Sequence, residues 1–308
     1  MAKITIIGSL NVDLTVFAKE CPAPGETNFG TSLLIGPGGK GLNQATAAKR
    51  AGSDVAFIGK IGTDALSSVI TSHLTEENMC CDYIQVSKAH ETGTATIIVE
   101  ATGQNRIIVV SGANTEVAEE EILSMQGAFS DTKLVLTQSE NGLSAIAAGK
   151  AMAKSLGVPF LWNPAPYLPV SDEILDGLDF ISPNETETFY FTGITVTDEE
   201  SAKKAADIFF KKGVKNVIIT MGATGVFYSN GTESYILPPP PAQAIDTTGA
   251  GDTFMGGFCT ALAEGMDIRR ALCFASCAAS LAVQRKGAAK SAPLREEIDA
   301  LMKAHYLL

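Results

Sequence analysis

Residues 246–254 (DTTGAGDTF) combine a glycine turn with two aspartates. Small residues in such a turn let the backbone approach a ligand closely, and the apolar spacing over 254–263 predicts a helix. The unpaired amides and the dipole at the start of a helix favour an anion such as a phosphoryl group. Asp252 could accept a proton from an attacking hydroxyl there, while neighbouring amides stabilise the charge of a transferred group. The alternative is an ordinary helix capped by an aspartate.

Asn11 and Asp13 come shortly after a predicted first strand over residues 4–7. Because they are two residues apart, their side chains point the same way in an extended chain. Ligands of open α/β sheets bind at the carboxyl ends of the strands, where an amide beside a carboxylate suits a polyhydroxyl ligand. The sequence equally allows these two residues to be solvated parts of a turn.

Residues 36–41 (GPGGKG) match the letters of the dinucleotide fingerprint GxGxxG, but their context excludes that function. The dinucleotide motif directly follows the first strand and has an acidic residue about twenty positions later. A Walker A loop is excluded as well, because Lys40 is followed by Gly41 instead of Ser or Thr. We therefore predict a glycine turn that begins a helix over 42–51, in which Asn43 can offer a donor and an acceptor to a sugar.

Asn184 and Glu187 lie three residues apart at the predicted start of another helix, after a strand over 180–182. This spacing places an amide and a carboxylate on one helix face, where they could hold a hydrated Mg²⁺ ion. A capping box produces the same pattern for purely structural reasons, and the sequence does not separate the two. The next predicted strand, 216–220, leads into a glycine turn over 222–225 that suits a nucleotide.

The elements that position these residues alternate between short apolar strands and helices, which indicates an α/β fold with a mostly parallel, doubly wound sheet. Residues 92–99 and 106–110 interrupt the alternation and predict a hairpin. Together with extended segments between residues 12 and 35, they predict a small second sheet. Such a sheet needs a cover for its apolar face, so we expect a lid that also forms a dimer surface.

The bulk composition of the chain excludes several classes of function. A length of 308 residues fits one large domain, and a net charge of −11 argues against nucleic acid or an anionic membrane as partner. The six cysteines show no CxxC spacing and the three histidines are not clustered, which argues against a zinc enzyme or a Ser-His-Asp hydrolase. Without a long apolar segment or a signal peptide pattern, a cytoplasmic protein is expected.

Several of these motifs, in this order along the chain, resemble those of the ribokinase-like sugar kinases of the phosphofructokinase-B family. The runs that carry the resemblance are GSLNVD at 8–13, PGET at 24–27, GGKGLNQA at 38–45, GAN at 112–114, NPAP at 163–166, PNETE at 183–187, DTTGAGDTF at 246–254 and RKGA at 285–288. They span nearly the whole chain, and their combination resembles most closely the branch of the family that phosphorylates ribose.

The resemblance implies a three-layer α/β fold formed by a single domain over residues 1–308, with a β-sheet lid formed by about 12–35 and 91–111. It implies ATP-dependent phosphorylation of a primary hydroxyl of D-ribose, with Mg²⁺ and a monovalent cation, K⁺, as cofactors. It also implies a homodimer that associates through the lid.

The resemblance further implies a role for individual residues. The general base would be Asp252, with the Gly249, Ala250 and Gly251 amides as the anion hole. The sugar ligands would be Asn11, Asp13, Gly39, Lys40, Asn43, Glu140, Asp246 and Asp252. The nucleotide would be bound by Asn184, Glu187, Thr220, Gly222, Gly225, Gly251 and Ser276. Mg²⁺ would be held through water by Asn184 and Glu187, and K⁺ by Asp246, Thr248, Val283, Gly287 and Ser291.

Two other functions are compatible with the sequence. One is a sister kinase for 2-deoxyribose, another sugar or a nucleoside, which differs only in the shape of the pocket. The other is a sugar-binding regulatory protein without catalysis, against which the intact Asp252 and its glycine turn argue, since a binding protein needs no base.

Overall fold

The structure is a computed structural model that describes residues 1–306. Its strands are β1 (Lys3–Ile7), β2 (Asn11–Ala18), β3 (Gly30–Gly38), β4 (Asp54–Ile61), β5 (Ile84–Val86), β6 (Gly93–Glu100), β7 (Asn105–Val110), β8 (Thr132–Thr137), β9 (Phe160–Trp162), β10 (Phe180–Ile181), β11 (Val217–Thr220), β12 (Val226–Ser229) and β13 (Ser234–Leu237). Its α-helices are α1 (Lys40–Arg50), α2 (Ser67–Glu76), α3 (Glu119–Ser124), α4 (Gly142–Leu156), α5 (Asp172–Leu175), α6 (Glu185–Thr192), α7 (Glu199–Lys211), α8 (Ala250–Ala263), α9 (Ile268–Ala282) and α10 (Arg295–Tyr306). None of the helices within residues 1–306 has both the length and the apolar character needed to cross a bilayer.

Nine strands form one large sheet in the order β13-β12-β11-β10-β9-β8-β1-β4-β5. All neighbouring pairs are parallel except those that involve β12, which runs antiparallel to both β11 and β13. This arrangement confirms the predicted mostly parallel sheet.

Helices cover both faces of the large sheet, and alternate residues of its strands explain why. Ile4 and Ile6 of β1 pack into a core shared with α1, α8 and α9, whereas Ile7 packs into a second core shared with α4 and α7. A strand with helices on both sides must be buried on both sides, and residues 4–7 of β1 (ITII) are all buried. The layers are therefore helix, sheet and helix, as predicted for a doubly wound fold.

Four strands form a separate small sheet in the order β3-β2-β6-β7. Its central strand β2 is antiparallel to β3 and parallel to β6 over its whole length. Exposed apolar side chains occur on both faces of the small sheet, since neighbouring residues Ile107 and Ile108 of β7 are 51% and 71% exposed. The second sheet confirms the fold class, whereas its action as a lid within a single domain of residues 1–308 stays a prediction.

Helix α8 begins four residues earlier than the sequence pattern predicted. The residue before it, Gly249, has a left-handed backbone with φ of 73° and ψ of 5°. A glycine adopts this conformation without steric cost, so the chain can turn sharply and start the helix at Ala250. As a result Asp252 lies within the first turn of α8.

Candidate active site

A cleft opens where the carboxyl ends of β9, β10 and β11 meet the N-terminal ends of α1, α6 and α8. Parallel sheets bind their ligands at this edge, because the strand ends and the helix starts converge there. The described residues that line the cleft are Lys40, Asn163, Ala165, Ser182, Asn184, Glu187, Thr220, Gly249, Gly251, Asp252 and Met255. Seven of the predicted site residues thus lie together in one cleft, although the chain separates them widely.

Asp252 is held in the cleft by two side-chain amides from α1. Asn43 Nδ2 donates to Asp252 Oδ2 over 3.0 Å, and Gln44 Nε2 donates to Asp252 Oδ1 over 3.0 Å. The carboxylate is only 7% exposed. Since each carboxylate oxygen can accept two hydrogen bonds, one acceptor position on each oxygen remains for a ligand.

The turn before α8 is packed against the loop that follows α9. A Cβ atom on Gly249 would lie 2.9 Å from the Ala288 Cα atom, so only glycine fits at this position without a shift of the backbone. The Asp246 carboxylate joins the same two segments, because it accepts hydrogen bonds from the Thr248 and Gly287 amides, each over 2.9 Å. Burial alone would raise the pKa of Asp246, but these two amides and Lys286 lower it below its usual value.

Asn11 and Asp13 both lie in extended backbone at the start of β2, rather than in a solvated turn after β1. Asn11 is buried, and its Oδ1 atom accepts a hydrogen bond from Asn114 Nδ2 over 2.8 Å. This bond fixes the amide and leaves Asn11 Nδ2 to donate to a ligand. Burial raises the pKa of Asp13 to about 7, with further increases from the negative charges of Glu140 and Asp252.

Glu140 connects the end of β8 with the N-terminus of α1. Its carboxylate accepts hydrogen bonds from the Ser9 hydroxyl and, over 3.0 Å, from the Lys40 amide. The Lys40 ammonium group lies among the acidic residues of the site: burial lowers its pKa, but Asp252, Glu140 and Glu187 raise it above the usual value. Lys40 is therefore a fixed positive charge within a mostly negative site.

Asn184 and Glu187 form the capping box that was one of the two interpretations of their spacing. Asn184 Oδ1 accepts from the Glu187 amide over 2.8 Å, and Glu187 Oε2 accepts from the Asn184 amide over 2.9 Å. The second carboxylate oxygen of Glu187 is free of this box, and the side chain lines the cleft. Burial raises the pKa of Glu187, against the lowering effects of the Asn184 amide and Lys40. The capping box thus orients the Glu187 carboxylate and leaves one of its oxygen atoms available to a ligand.

The other predicted nucleotide and cation residues lie around the cleft. Thr220 lines it, and Gly222 and Gly225 form the short turn that follows β11. Ser276 is buried on α9 and is not one of the described residues that line the cleft, nor is Asp246. Their predicted contacts with ligands stay predictions.

The predicted cation ligands differ in how free their oxygen atoms are. The Val283 carbonyl already accepts the amides of Ile245 and Asp246, over 2.7 and 3.1 Å. The Ser291 hydroxyl donates to the Ala288 carbonyl over 2.8 Å. The Val283 carbonyl would therefore have to share these two amides with a cation, and its predicted role as a ligand, like that of Ser291, stays a prediction.

Several residues of the site were not predicted from the sequence, and three of them are polar. Gln44 contacts Asp252 directly, and Asn163 and Ser182 line the cleft at the ends of β9 and β10. The available signal for Gln44 was its position beside Asn43 at the start of α1. Asn163 and Ser182 could have been found from the rule that polar residues directly after parallel strands face the ligand.

The arrangement suits proton removal beside an anion site. A carboxylate lies in the first turn of a helix, whose free amides and dipole attract a negatively charged group. A lysine, a second carboxylate and several amides surround the same cleft. These groups can orient an alcohol against Asp252 and stabilise a phosphoryl group beside it.

Comparison with known proteins connects this geometry with a family. The profile of the pfkB family of carbohydrate kinases matches residues 1–295. The chain is 41% identical to the ribokinase of Haemophilus influenzae over 96% of both sequences, and 38% identical to that of Bacillus subtilis over 98% of this chain and 100% of the relative. Its fold matches the structure of Arabidopsis thaliana ribokinase complexed with ribose and ATP, with a TM-score of 0.89, 33% identity and coverage of 98% and 99%.

Proposed function

The chain belongs to the pfkB family of carbohydrate kinases, and from this premise we propose that it transfers the γ-phosphoryl group of ATP to the primary hydroxyl of D-ribose. The observation that supports this proposal best is the placement of Asp252. It is a buried carboxylate in the first turn of α8, held by two amides and open to the cleft. The relatives named ribokinase, among them one solved with ribose and ATP, support the choice of sugar and nucleotide.

In the proposed reaction Asp252 accepts the proton of the sugar hydroxyl as that oxygen attacks phosphorus. The Gly249 and Gly251 amides at the start of α8 stabilise the negative charge of the transferred group, and the Ala250 amide, which donates to the Thr247 carbonyl over 3.2 Å, would contribute by sharing that bond. Lys40 adds a positive charge to the same cleft. Most of the catalysis then comes from orientation and electrostatic stabilisation, because phosphoryl transfer asks for little covalent chemistry from the protein.

The sugar would lie between β2, the end of β8 and the start of α1. Asn11 and Asp13 come from β2, Glu140 follows β8, and Lys40 and Asn43 begin α1. Asn43 Oδ1 is buried without a hydrogen-bond partner, so it can accept a sugar hydroxyl while Asn43 Nδ2 holds Asp252. The buried and unpaired acceptor supports the predicted contact of Asn43 with the sugar.

We propose that Glu187, with Asn184 beside it, binds Mg²⁺ through water molecules. Within residues 1–306 no group of three or more His, Cys, Asp or Glu residues could hold a metal ion by itself. Mg²⁺ commonly keeps several waters and is held by one or two carboxylates together with the substrate phosphates. One partly free carboxylate in the cleft therefore fits this ion, which would neutralise charge on the phosphates when bound.

A substrate panel tests the proposed activity. ADP release is measured with ATP and D-ribose, 2-deoxyribose, hexoses and nucleosides, and we expect the highest kcat/KM for D-ribose. Preference for another acceptor would identify a sister kinase, and sugar binding without ADP release would identify a regulatory binding protein.

In the Asp252→Asn variant we expect sugar binding to persist and kcat to fall by about 10²–10⁴-fold. Near-normal turnover in this variant would remove Asp252 from the role of base.

We also propose that a monovalent cation, K⁺, is bound by the loop that Asp246 joins to Gly287. The candidate ligands are the oxygen atoms of Asp246, Thr248, Val283, Gly287 and Ser291, of which the Val283 carbonyl also accepts the Ile245 and Asp246 amides. Since this loop packs against Gly249, cation binding would support the turn that forms the anion hole. Activity should rise when NaCl is replaced by KCl at equal ionic strength, and equal rates in both salts would contradict the proposal.

We propose further that two copies of the chain associate through the small sheet. Its exposed apolar residues on both faces are typical of a surface that another molecule covers. Ile107→Glu and Ile108→Glu test the two faces separately, because adjacent residues of a strand point to opposite sides. Sedimentation should show a dimer for the wild type and a monomer for at least one variant. A monomeric wild type, or two dimeric variants, would contradict the proposal.

The proposed use of ATP also supports the cytoplasmic location predicted from the sequence.

A further inference from the structure

Gln44 is a fully buried residue of α1 that connects Asp252 with the large sheet. Its Nε2 atom donates to Asp252 Oδ1 over 3.0 Å and to Asn163 Oδ1 over 2.9 Å. Its Oε1 atom accepts a hydrogen bond from Gln138 Nε2 over 2.6 Å. All three polar groups of the side-chain amide are therefore used, two as donors and one as acceptor.

The partners of Gln44 determine the orientation of its amide. If the amide were rotated by half a turn, Oε1 would face the carboxylate oxygen of Asp252 and the amide oxygen of Asn163. Both of these atoms are acceptors, so two hydrogen bonds would be replaced by two repulsive contacts. Gln138 favours the same orientation from the other side, because its Nε2 atom needs an acceptor.

The chain of hydrogen bonds continues across the ends of neighbouring strands. Asn163 Nδ2 donates to the Ser182 carbonyl over 2.6 Å. Gln138, Asn163 and Ser182 directly follow β8, β9 and β10, which are adjacent in the large sheet. The Asp252 carboxylate is thus connected by hydrogen bonds to the ends of three strands through a single side chain, Gln44.

We propose that Gln44 is a positioning residue that fixes the orientation of the Asp252 carboxylate. This inference rests on the proposed function, in which Asp252 is the general base. Gln44 is fully buried and its amide nitrogen and oxygen are both used by Asp252, Asn163 and Gln138, so it acts on the reaction through Asp252 and does not bind the sugar. Asn43 holds the other carboxylate oxygen, so without Gln44 the carboxylate remains in the cleft but can rotate about this one remaining bond.

The test compares Gln44→Met with a matched control, Thr46→Val. Methionine has a similar size but cannot make these hydrogen bonds. Thr46 is a buried polar residue on the same helix whose side chain bonds His73 and the Leu42 carbonyl, away from the cleft. We expect Gln44→Met to lower kcat for D-ribose, or for the best substrate of the panel, by about 10²-fold, as for a misplaced catalytic group. KM and the calorimetric Kd for the sugar should stay within about threefold of the wild type.

Thr46→Val should keep the wild-type kcat, since any loss of packing on α1 is shared by both variants. Unchanged kcat in Gln44→Met would overturn the proposal, and so would an equal loss of kcat in the control. Gln138→Met is a second variant that keeps the bond to Asp252 and removes only the outer contact. For it we expect a loss of kcat of about 10-fold, and no loss would count against the chain of hydrogen bonds. A wild type that releases no ADP with any sugar would instead contradict the proposed function.

Discussion

Asp13→Asn should stabilise the ligand-free protein at neutral and alkaline pH while it weakens the binding of the sugar. Asp13 is partly buried near two other carboxylates, Glu140 and Asp252, and its pKa is raised from 3.8 to about 7. Ionisation of Asp13 is therefore opposed in the folded protein but not in the unfolded chain. An asparagine has nearly the same shape and never ionises, so it removes this cost.

The sign and the size of the effect follow from proton linkage. Between pH 3.8 and about 7 the folded protein keeps a proton on Asp13 that the unfolded chain has lost. The free energy of unfolding therefore falls as the pH rises through this window, and the loss is complete above the folded pKa. A pKa raised from 3.8 to about 7 corresponds to about 4 kcal/mol in total, at 1.36 kcal/mol for each pH unit. About 2 kcal/mol of this loss falls between about pH 5.5 and about pH 8.

Urea unfolding of the wild type and the variant at these two pH values measures the effect. The variant should gain about 2 kcal/mol relative to the wild type between the lower and the higher pH. Asp207→Asn, at an exposed position of α7, removes the same charge without burial and should show no such gain. The reasoning is refuted if the difference between variant and wild type is the same at both pH values. Calorimetry should show sugar affinity reduced by about 10–100-fold, as for the loss of hydrogen bonds to a charged group.

Two further substitutions test the turn before α8 and the loop against which it packs. Gly249→Ala places a Cβ atom against the Ala288 backbone at a left-handed position, so we expect a loss of about 1–2 kcal/mol of stability and of at least about 10-fold in kcat, measured by urea unfolding and ADP release. Arg50→Met removes hydrogen bonds from Arg50 Nη1 to the Lys290 and Ala292 carbonyls, over 3.0 and 2.8 Å, together with the ion pair between Arg50 and Glu77, so we expect a loss of about 3 kcal/mol and a higher KCl concentration for half-maximal activity.

Each of these substitutions has a matched control. Gly265→Ala also lies at a positive φ, of 86°, but its Cβ atom would have no neighbour within 4 Å, so it should lower stability without affecting kcat. Arg106→Met breaks an ion pair of 3.4 Å at a side chain that is 65% exposed, and it should cost less than about 1 kcal/mol. Equal effects on kcat in the two glycine variants would show that contact with Ala288 is unimportant. Equal losses of stability in the two arginine variants would show that the hydrogen bonds to the loop carbonyls are unimportant for stability.

The features that the sequence predicted are those determined by local pattern. The β-branched run of β1 and the glycine turn before α8 each specify their structure within a few residues. The small sheet was predicted because its hairpin has a turn between two β-branched runs. These signals need no knowledge of distant parts of the chain.

The features that the sequence did not predict depend on contacts between residues far apart in the chain, or on patterns that fit two structures equally well. Gln44 meets Gln138 and Asn163 across separations of 94 and 119 residues, and no local spacing reveals such a contact. The start of α8 was placed too late because the apolar period begins at Phe254, whereas the backbone at Gly249 determines the first turn. Asn184 and Glu187 form a capping box whose spacing also suits a metal site, so the sequence could not separate the two interpretations.

The strand β2 links the cleft with the surface of the small sheet. Asn11 and Asp13 lie at the start of β2. All residues of the strand up to Ala18 are paired with β3 on one edge and with β6 on the other. Because β2 is hydrogen-bonded on both edges, it cannot move independently of the small sheet. A hinge motion of that sheet would therefore move Asn11 and Asp13 with it. On the prediction that the small sheet is a lid and that Asn11 and Asp13 bind the sugar, opening of the lid would withdraw both side chains from the sugar, so lid opening and sugar release would occur together.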